Sequence, residues 1–322
     1  MERYENKNRR RRRLRIKRII MIFGLILLGA GAYGGYILYS AYDAANQSFN
    51  QLDRGDKSKL REEAVEVSKD PFSVLIMGVE DYSSGGQNGR TDSLMVATFN
   101  PSDQTVKLLS IPRDTLAEIP GKAEKDKINH AYAFGGKEAT IESVENLLNI
   151  PIDYYVTVGF SGFKDIIDEV GGVKIDVPFD FSEKSDEDKQ MIYFTEGEMT
   201  LNGEEALAYA RMRKQDPRGD FGRGDRQKQV MMAVIDKLLS PSSLSKLDDV
   251  AEHVGDNIQT NMRVTHAVAI QRKYPGFSSD KIEKLTLGGT DDYIGGIYYF
   301  RPDEAQLSEL QTELSQHLEQ DT

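Results

Sequence analysis

The chain has 322 residues, 29% of them charged, no cysteine, and a formal net charge of −11. That length holds one large domain or two small ones, and the composition is globular rather than disordered or collagenous. The missing cysteines exclude a disulfide framework, a thiol nucleophile and thiolate metal sites, and the four histidines, at 130, 253, 266 and 317, show no metal-ligand spacing.

The charge is unevenly placed. Residues 1–18 carry ten Lys and Arg against Glu2 and Glu5, a net +8, which leaves −19 on the chain beyond. Between the two lies IIMIFGLILLGAGAYGGYILYSAY, residues 19–42, with no charged side chain. At about 1.5 Å per residue its apolar part crosses roughly 30 Å of hydrocarbon, so it reads as a transmembrane helix. AGAYGG resembles a small-residue cleavage site, but Tyr33, Tyr36, Tyr39 and Tyr42 suit the outer interface of a retained span. The basic cluster then places the N-terminus in the cytoplasm and the bulk of the protein outside, in a single-pass cell-membrane topology. A run of arginines could also meet nucleic acid; directly before an apolar span its role is topology, and no nucleic-acid partner is expected.

Residues 43–70 are polar, with sparse apolar points at Leu52, Leu60, Val65 and Val67, and are expected to form a helical stalk ended by Asp70-Pro71. FSVLIMGV (72–79) is a buried-strand pattern followed by the loop EDYSSGGQNGRTD; LMVATFN (94–100) and TVKLLSIP (105–112) are two more strands with a short turn between them. Two antiparallel hairpins bring the end of the first strand, the start of the second and the end of the third to one sheet edge. That edge receives Glu80, Asp81, Arg90, Asp92, Arg113 and Asp114.

A helix is predicted over 137–150, stopped by Pro151. A strand YYVTVGF follows, then a helix with Ser161 as N-cap and Gly171 at its end, then the strand VKIDVPF. NGEEALAYARMR is helical from Asn202, KQDPRGDFGRGD a charged loop, and RQKQVMMAVIDKLL a helix. Beyond 241 we expect helical stretches, a strand pair formed by KIEKLTL and IYYF, and a last helix from Pro302. Strands alternating with helices argue one α/β domain. The expected whole is a single extracytoplasmic three-layer α-β-α domain with a mixed central sheet, residues 71–322.

The chemistry sits in acids and arginines. Asp92 facing Glu80 or Asp81 across a loop is a pair that a hard divalent cation, magnesium or manganese, binds through oxygen, often sharing it with substrate phosphate. Guanidinium is always charged and meets phosphate oxygens two at a time, so Arg90 and Arg113 at that edge, with Arg211 and Arg213 at a helix end, suggest a polyphosphate. Arg223 and Gln227, spaced i, i+4 at a helix start, form a further anion site. Arg218 and Arg226 read as salt-bridge partners of nearby aspartates. Met231, Met232, Val234 and Ile235 are core positions that could also line a lipid groove. No Ser-His-Asp order, no GxSxG and no Walker-type loop is present, which leaves metal-assisted phosphoryl transfer to a hydroxyl.

Seven segments taken together resemble the LytR-CpsA-Psr family of bacterial wall enzymes, its wall teichoic acid members most of all. They are LIMGVED (75–81), GRTDSLMVAT (89–98), LLSIPRDT (108–115), KINHAYAFGG (127–136), VGGVKIDVP (170–178), LNGEEALAYARMR (201–213) and DFGRGDRQKQV (220–230). They run in the family's order over residues 72–240. The resemblance implies transfer of a glycopolymer from a polyprenyl-diphosphate carrier to a peptidoglycan hydroxyl, forming a phosphodiester. Carried over by motif, Asp92 and the acid ending LIMGV hold magnesium. Arg90, Arg113, Arg211, Arg213, Arg223 and Gln227 bind the phosphates, with Arg113 and Asp92 the catalytic pair, and Asp220 supports the arginine loop. The family has aspartate directly after Gly-Val, where this chain has Glu80 followed by Asp81, so either acid could serve. Two other readings fit the same residues: a phosphatase acting on the same lipid diphosphate with water, and a tethered regulatory protein that binds a lipid phosphate without turnover.

Overall fold

The computed structural model describes residues 48–80, 89–239, 258–274 and 278–320. The expected tail, the span at 19–42 and Asp81 lie outside them. Among the described residues no helix is long and apolar enough to cross a membrane.

Three strands open the domain as expected: β1 (Phe72–Val79), β2 (Thr91–Asn100) and β3 (Thr105–Ser110), paired antiparallel. β4 (Leu116–Ala117) and β5 (Asp126–Lys127) form a small ribbon before α1 (His130–Leu148), which breaks at Gly135–Gly136 and closes on Asn149 in the left-handed region. β6 (Tyr154–Gly159) then pairs parallel to β1. The six-stranded sheet is completed at its edges by β11 (Ile258–Thr260), antiparallel to β6, and β12 (Ile282–Thr286), parallel to β3. Sheet order is β11-β6-β1-β2-β3-β12, a mixed sheet.

Strand alternation divides the core between two faces. Leu75, Met77 and Val79 of β1 pack with Ile141 and Val144 of α1 and with Leu310 and Leu314 of α6 (Glu304–His317). On the other face Met95, Ala97, Val106 and Leu108 meet Met231 and Ile235 of α4 (Asp220–Leu239) and Ile270 of α5 (Val264–Lys273). A second core lies beside the sheet, where α2 (Phe160–Glu169), β7 (Val173–Val177), β8 (Phe181–Lys184), β9 (Met191–Phe194), β10 (Gly197–Leu201) and α3 (Gly203–Arg211) bury Phe181, Phe194 and Tyr209. β13 (Gly289–Ile294) and β14 (Ile297–Pro302) form a hairpin of their own.

Four expectations are corrected. Residues 49–70 are not a helical stalk: they run as turns laid along the domain, because Leu52 and Val67 enter the core and two arginines find buried carboxylates. Arg54 pairs with Glu145 at 2.8 Å and Arg61 with Asp153 at 2.8 Å. KIEKLTL and IYYF do not pair; the first joins β3 and the second pairs with β13. α2 begins at Phe160 with Gly159 as its N-cap, two residues before the expected cap Ser161. α4 begins at Asp220, so DFGRGD is helical. Its glycines read as loop but allow close packing. A Cβ on Gly224 would come 3.1 Å from Ser110 Oγ, and one on Gly222 would run into the Asp216 carboxylate. Two glycines in a helix cost about 1 kcal/mol each; here Gly224 lets α4 settle on the end of β3, and Gly222 leaves room for the Asp216 carboxylate.

Candidate active site

The sheet edge expected to collect the charged residues does so. Gly78 faces Ser93 and Met95 faces Ser110, so β1 ends, β2 begins and β3 ends together. β6 ends there too, with Gly159 opposite Val79, and so does β12, with Thr286 opposite Ser110. The β1–β2 register shifts at this edge: Gly78 pairs with Ser93 but Val79 with Thr91, leaving Asp92 as the extra residue of a bulge. A bulge turns a side chain out of the alternation. Asp92 thereby comes within reach of β3's end, and Arg113 Nη1 donates to its Oδ1 at 2.6 Å.

Arg113 is held from several sides. Its carbonyl accepts from Asn129 N at 3.2 Å, and its Nε lies 3.8 Å from Asp114, which is itself paired with Lys127 at 2.7 Å. Burial pulls the Arg113 pKa down, but the charge and hydrogen bond of Asp92, with the charges of Asp114 and Asp220, more than offset this and leave it raised. Arg223, only 6% exposed, behaves oppositely. Burial lowers its pKa, Asp220 at 2.8 Å opposes this, and the nearby Arg113 adds to the lowering. A buried cation facing another cation is an arrangement that an incoming anion relieves.

α3 delivers the next pair. A reciprocal capping box between Asn202 and Glu205 starts the helix, an arrangement worth about 1 kcal/mol. Its last residue, Arg211, donates to Asp186 at 2.7 Å and lies over the Phe160 ring at 5.3 Å. Arg213 is half exposed, 3.7 Å from Asp220. Gln227, one turn beyond Arg223, donates to the Asp92 carbonyl at 3.3 Å. Asp220 therefore serves both Arg213 and Arg223.

These side chains line one open cleft of about 460 Å³: Glu80, Asp92, Arg113, Glu183, Arg211, Arg213, Lys214, Arg223 and Gln227. Five cations stand against three carboxylates on its wall, in a chain that is acidic overall. Of the expected residues, Arg90 stands exposed at the same edge without lining the cleft. Glu80 lines it, its N–H bonded to the Arg90 carbonyl at 3.2 Å. Arg226 and Arg218 are structural, as read from sequence: Arg226 is buried against Asp216 and the carbonyls of Tyr209 and Met212, and Arg218 pairs with Asp225 at 2.7 Å. Glu183, Lys214 and Asp186 were not foreseen. They arrive with the β8–β9 hairpin and the α3–α4 turn, which no local pattern marks.

A second cavity adjoins the cleft. It is apolar, lined by Ile76, Met95, Val158, Phe163, Leu207 and Met231, and it runs between the sheet and α2, α3 and α4. Asp92, Arg211 and Gln227 belong to both walls, so an apolar channel and a cationic cleft share one junction. Met231 thus plays both parts considered for it, core and channel, whereas Met232 and Ile235 pack in the core of that face and Val234 against the second core.

Metal fit can be tested on the donors present. Among the described residues no group of three or more His, Asp or Glu forms a metal cluster. Asp92 and Glu80 line the cleft together, and Asp92 already accepts from Arg113. Two carboxylates on one cleft wall are oxygen donors of the kind a magnesium ion takes when phosphate and water supply its other ligands.

An α/β domain whose mixed sheet ends in a cationic cleft fed by an apolar channel defines a class of protein that handles an amphiphilic anion. The sequence profile described as the LytR_cpsA_psr family matches residues 35–316, and the chain belongs to that family. Over 309 residues it is 54% identical to the polyisoprenyl-teichoic acid–peptidoglycan teichoic acid transferase TagV of Bacillus subtilis (strain 168), covering 94% of this chain and 79% of TagV. The crystal structure of B. subtilis TagV superposes with a TM-score of 0.71 at 54% identity, covering 79% of this chain and 99% of that one. The LytR-CPS2A-psr family protein YwtF (TagT), solved with bound octaprenyl pyrophosphate lipid, superposes with a TM-score of 0.66 at 34% identity, covering 84% and 99%.

Proposed function

We propose that this protein is a transferase that moves a wall teichoic acid or a related anionic glycopolymer from a polyprenyl-diphosphate carrier to a hydroxyl of peptidoglycan. One observation carries the reading: the apolar channel and the cationic cleft meet at Asp92, Arg211 and Gln227, so a ligand with a hydrocarbon tail and a diphosphate head fits both at once. The names of the TagV relative and of the lipid-bound TagT structure support it. The channel measures about 100 Å³, whereas pockets for drug-sized ligands run about 300–1,000 Å³. A long prenyl chain therefore needs more room than the channel has in this conformation.

In the reaction the acceptor oxygen attacks the phosphorus that bears the glycopolymer. The bond from that phosphorus to the bridging oxygen breaks, and polyprenyl phosphate leaves. Arg113, Arg223 and Gln227 hold the diphosphate from the α4 side, Arg211 and Arg213 from the α3 side, and Arg90 approaches from the rim. Fixed charges aimed at oxygens that gain charge in the transition state need no reorganisation, and losing one costs on the order of 10²–10³ in rate. Asp92 and Glu80, with Asp81 as the alternative on that side, would hold magnesium or manganese, which when bound neutralises phosphate charge. The acceptor proton passes to a carboxylate of the cleft wall, Asp92, Glu80 or Glu183. Residues 19–42 anchor the protein in the cell membrane with this domain outside.

The test is turnover of a short polyprenyl-diphosphate glycoside by the full chain, with peptidoglycan oligomer, with and without magnesium, and with Asp92→Ala in parallel. Metal-dependent attachment to the oligomer, lost in the variant, is expected. Release of phosphorylated sugar without attachment would make the protein a hydrolase, and binding without turnover would make it a sensor.

A further inference from the structure

The site edge of the sheet, where β12 ends at Thr286, carries a feature that the phosphate chemistry does not use. The β13–β14 hairpin is rooted at the site edge: Phe300 N donates to the carbonyl of Asp114, next to Arg113, at 2.9 Å, and the Phe300 ring meets Phe221 at 5.3 Å between centroids. Lys127, paired with Asp114, lies 5.8 and 5.6 Å from the Tyr298 and Tyr299 ring centroids. The root is therefore tied to the residues that hold Arg113.

The tip is different. From Tyr293 to Phe300 no residue is charged. Tyr293 pairs with Tyr298 and Ile294 with Ile297 across a Gly295–Gly296 turn whose φ angles are +59° and +82°, a conformation that favours glycine. Tyr293 is 68% exposed, Ile294 45% and Ile297 54%. The carboxylates nearby are engaged further back, Asp291 by Tyr298 Oη at 2.9 Å and Asp292 by Arg301 Nε at 2.7 Å. The turn residues Ile294 to Ile297 carry no polar side chain, so beyond the Tyr293 hydroxyl the tip offers a sugar no side-chain hydrogen bond. Isoleucine outermost, tyrosine one pair behind and ion pairs behind those match the sequence hydrocarbon, headgroup and water met on entering a bilayer.

The direction of the chain gives an independent reason to put a membrane on this side. Phe49 bridges Thr260 of β11 in parallel, and Asn50 N donates to the Thr260 carbonyl at 2.7 Å. β11 is antiparallel to β6, and β6 runs with β1 toward the site edge. The chain at Phe49 is therefore leaving that edge, and it enters the domain from the site side. Five residues separate Ser48 from Tyr42, the end of the uncharged run. They reach at most about 20 Å at roughly 3.3–3.6 Å per residue.

We propose that the β13–β14 tip enters the outer leaflet and seats the mouth of the cleft on the bilayer, where a lipid-linked diphosphate lies. This rests on the reading above that the ligand is borne by the membrane. The cysteine-free chain allows a direct test. Full-length protein with Ile297→Cys, Tyr193→Cys or Leu60→Cys carries an environment-sensitive fluorophore in vesicles of phosphatidylcholine and phosphatidylglycerol, with or without spin-labelled lipid. Residue 193 sits on a different hairpin and residue 60 on the strap, and both are exposed. The label at 297 is expected to shift blue and be quenched by spin-labelled lipid, while the labels at 193 and 60 stay water-like.

A water-like label at 297, a shift that appears only on adding peptidoglycan fragments, or one that follows protein concentration without lipid quenching would each overturn the proposal. In the functional arm, Ile294→Asp/Ile297→Asp is expected to lower transfer from a long-chain carrier in vesicles about tenfold while sparing a short water-soluble carrier; equal effects on both would also overturn it. Failure of the transferase reading shows separately, as wild-type protein that turns over neither carrier while lipid quenching at 297 persists.

Discussion

Arginines do opposite work in two parts of this molecule. Along the strap of residues 49–70 each has a carboxylate of its own: Arg61 makes a two-point contact with Asp153 at 3.0 and 2.8 Å and donates to the Pro71 carbonyl at 3.0 Å, and Arg54 meets both oxygens of Glu145. In the cleft the partners run short. Arg213 and Arg223 share Asp220, and Arg113 and Arg223 lie close enough for one to disfavour the charge of the other. Arginines with a carboxylate of their own fix the fold, whereas a wall with more guanidinium than carboxylate is completed by an anion brought from outside. Arg226 shows how local the distinction is, since it lies three residues from Arg223 on the same helix and is fully satisfied.

The sharpest way to break this comparison is to remove a partner from each kind. Asp216→Ala strands the Arg226 charge, and removal of one member of a buried pair costs about 3–5 kcal/mol; a large fall in the urea midpoint is expected. Arg223→Ala should do the reverse, lowering the transfer rate by about 10²–10³ with the urea midpoint unchanged or slightly raised, because a desolvated, under-paired cation is lost. A midpoint that falls as far as that of Asp216→Ala would make Arg223 structural. Glu145→Gln keeps the hydrogen-bonding shape of the strap and removes one charge, for an expected loss of about 1–3 kcal/mol with transfer intact, read by thermal melting beside the activity assay.

How much of this was legible in sequence divides along the same line. The β1–β3 alternation was readable, and it alone brings Arg113 to the edge with Asp92. The i, i+4 spacing of Arg223 and Gln227 was readable as well. What escaped depended on distant partners. The strap looked like a stalk because the carboxylates of Glu145 and Asp153 that pin it lie about 90 residues away. Gly224 looked like part of a loop because Ser110, which needs the space, lies far away in sequence. The bulge that aims Asp92 exists only in the pairing with β1.

The smallest expected effect is on pH dependence and concerns the far side of the sheet. His317 is buried between Thr98 Oγ1 at 2.8 Å and Thr105 Oγ1 at 2.9 Å, and burial, with Lys107 nearby, holds its pKa below the ordinary 6.5. The unfolded chain therefore takes up the proton first as pH falls. The stability that His317 contributes is complete above about pH 6.5 and is lost as pH drops toward its folded pKa. Urea midpoints for the wild type should decline from pH 7 to pH 5 more steeply than those of His317→Gln. Parallel curves would show that the site carries no such linkage.

The claim that the cleft is completed by a diphosphate is tested most directly by calorimetric titration of a short prenyl diphosphate into the wild type, Arg223→Ala and Arg54→Ala. A charged hydrogen bond is worth about 1.5–3 kcal/mol, so Arg223→Ala should weaken Kd by roughly 10- to 100-fold, while Arg54→Ala, folded at the temperature of measurement, should bind as the wild type does. Equal affinity in all three proteins would contradict the account.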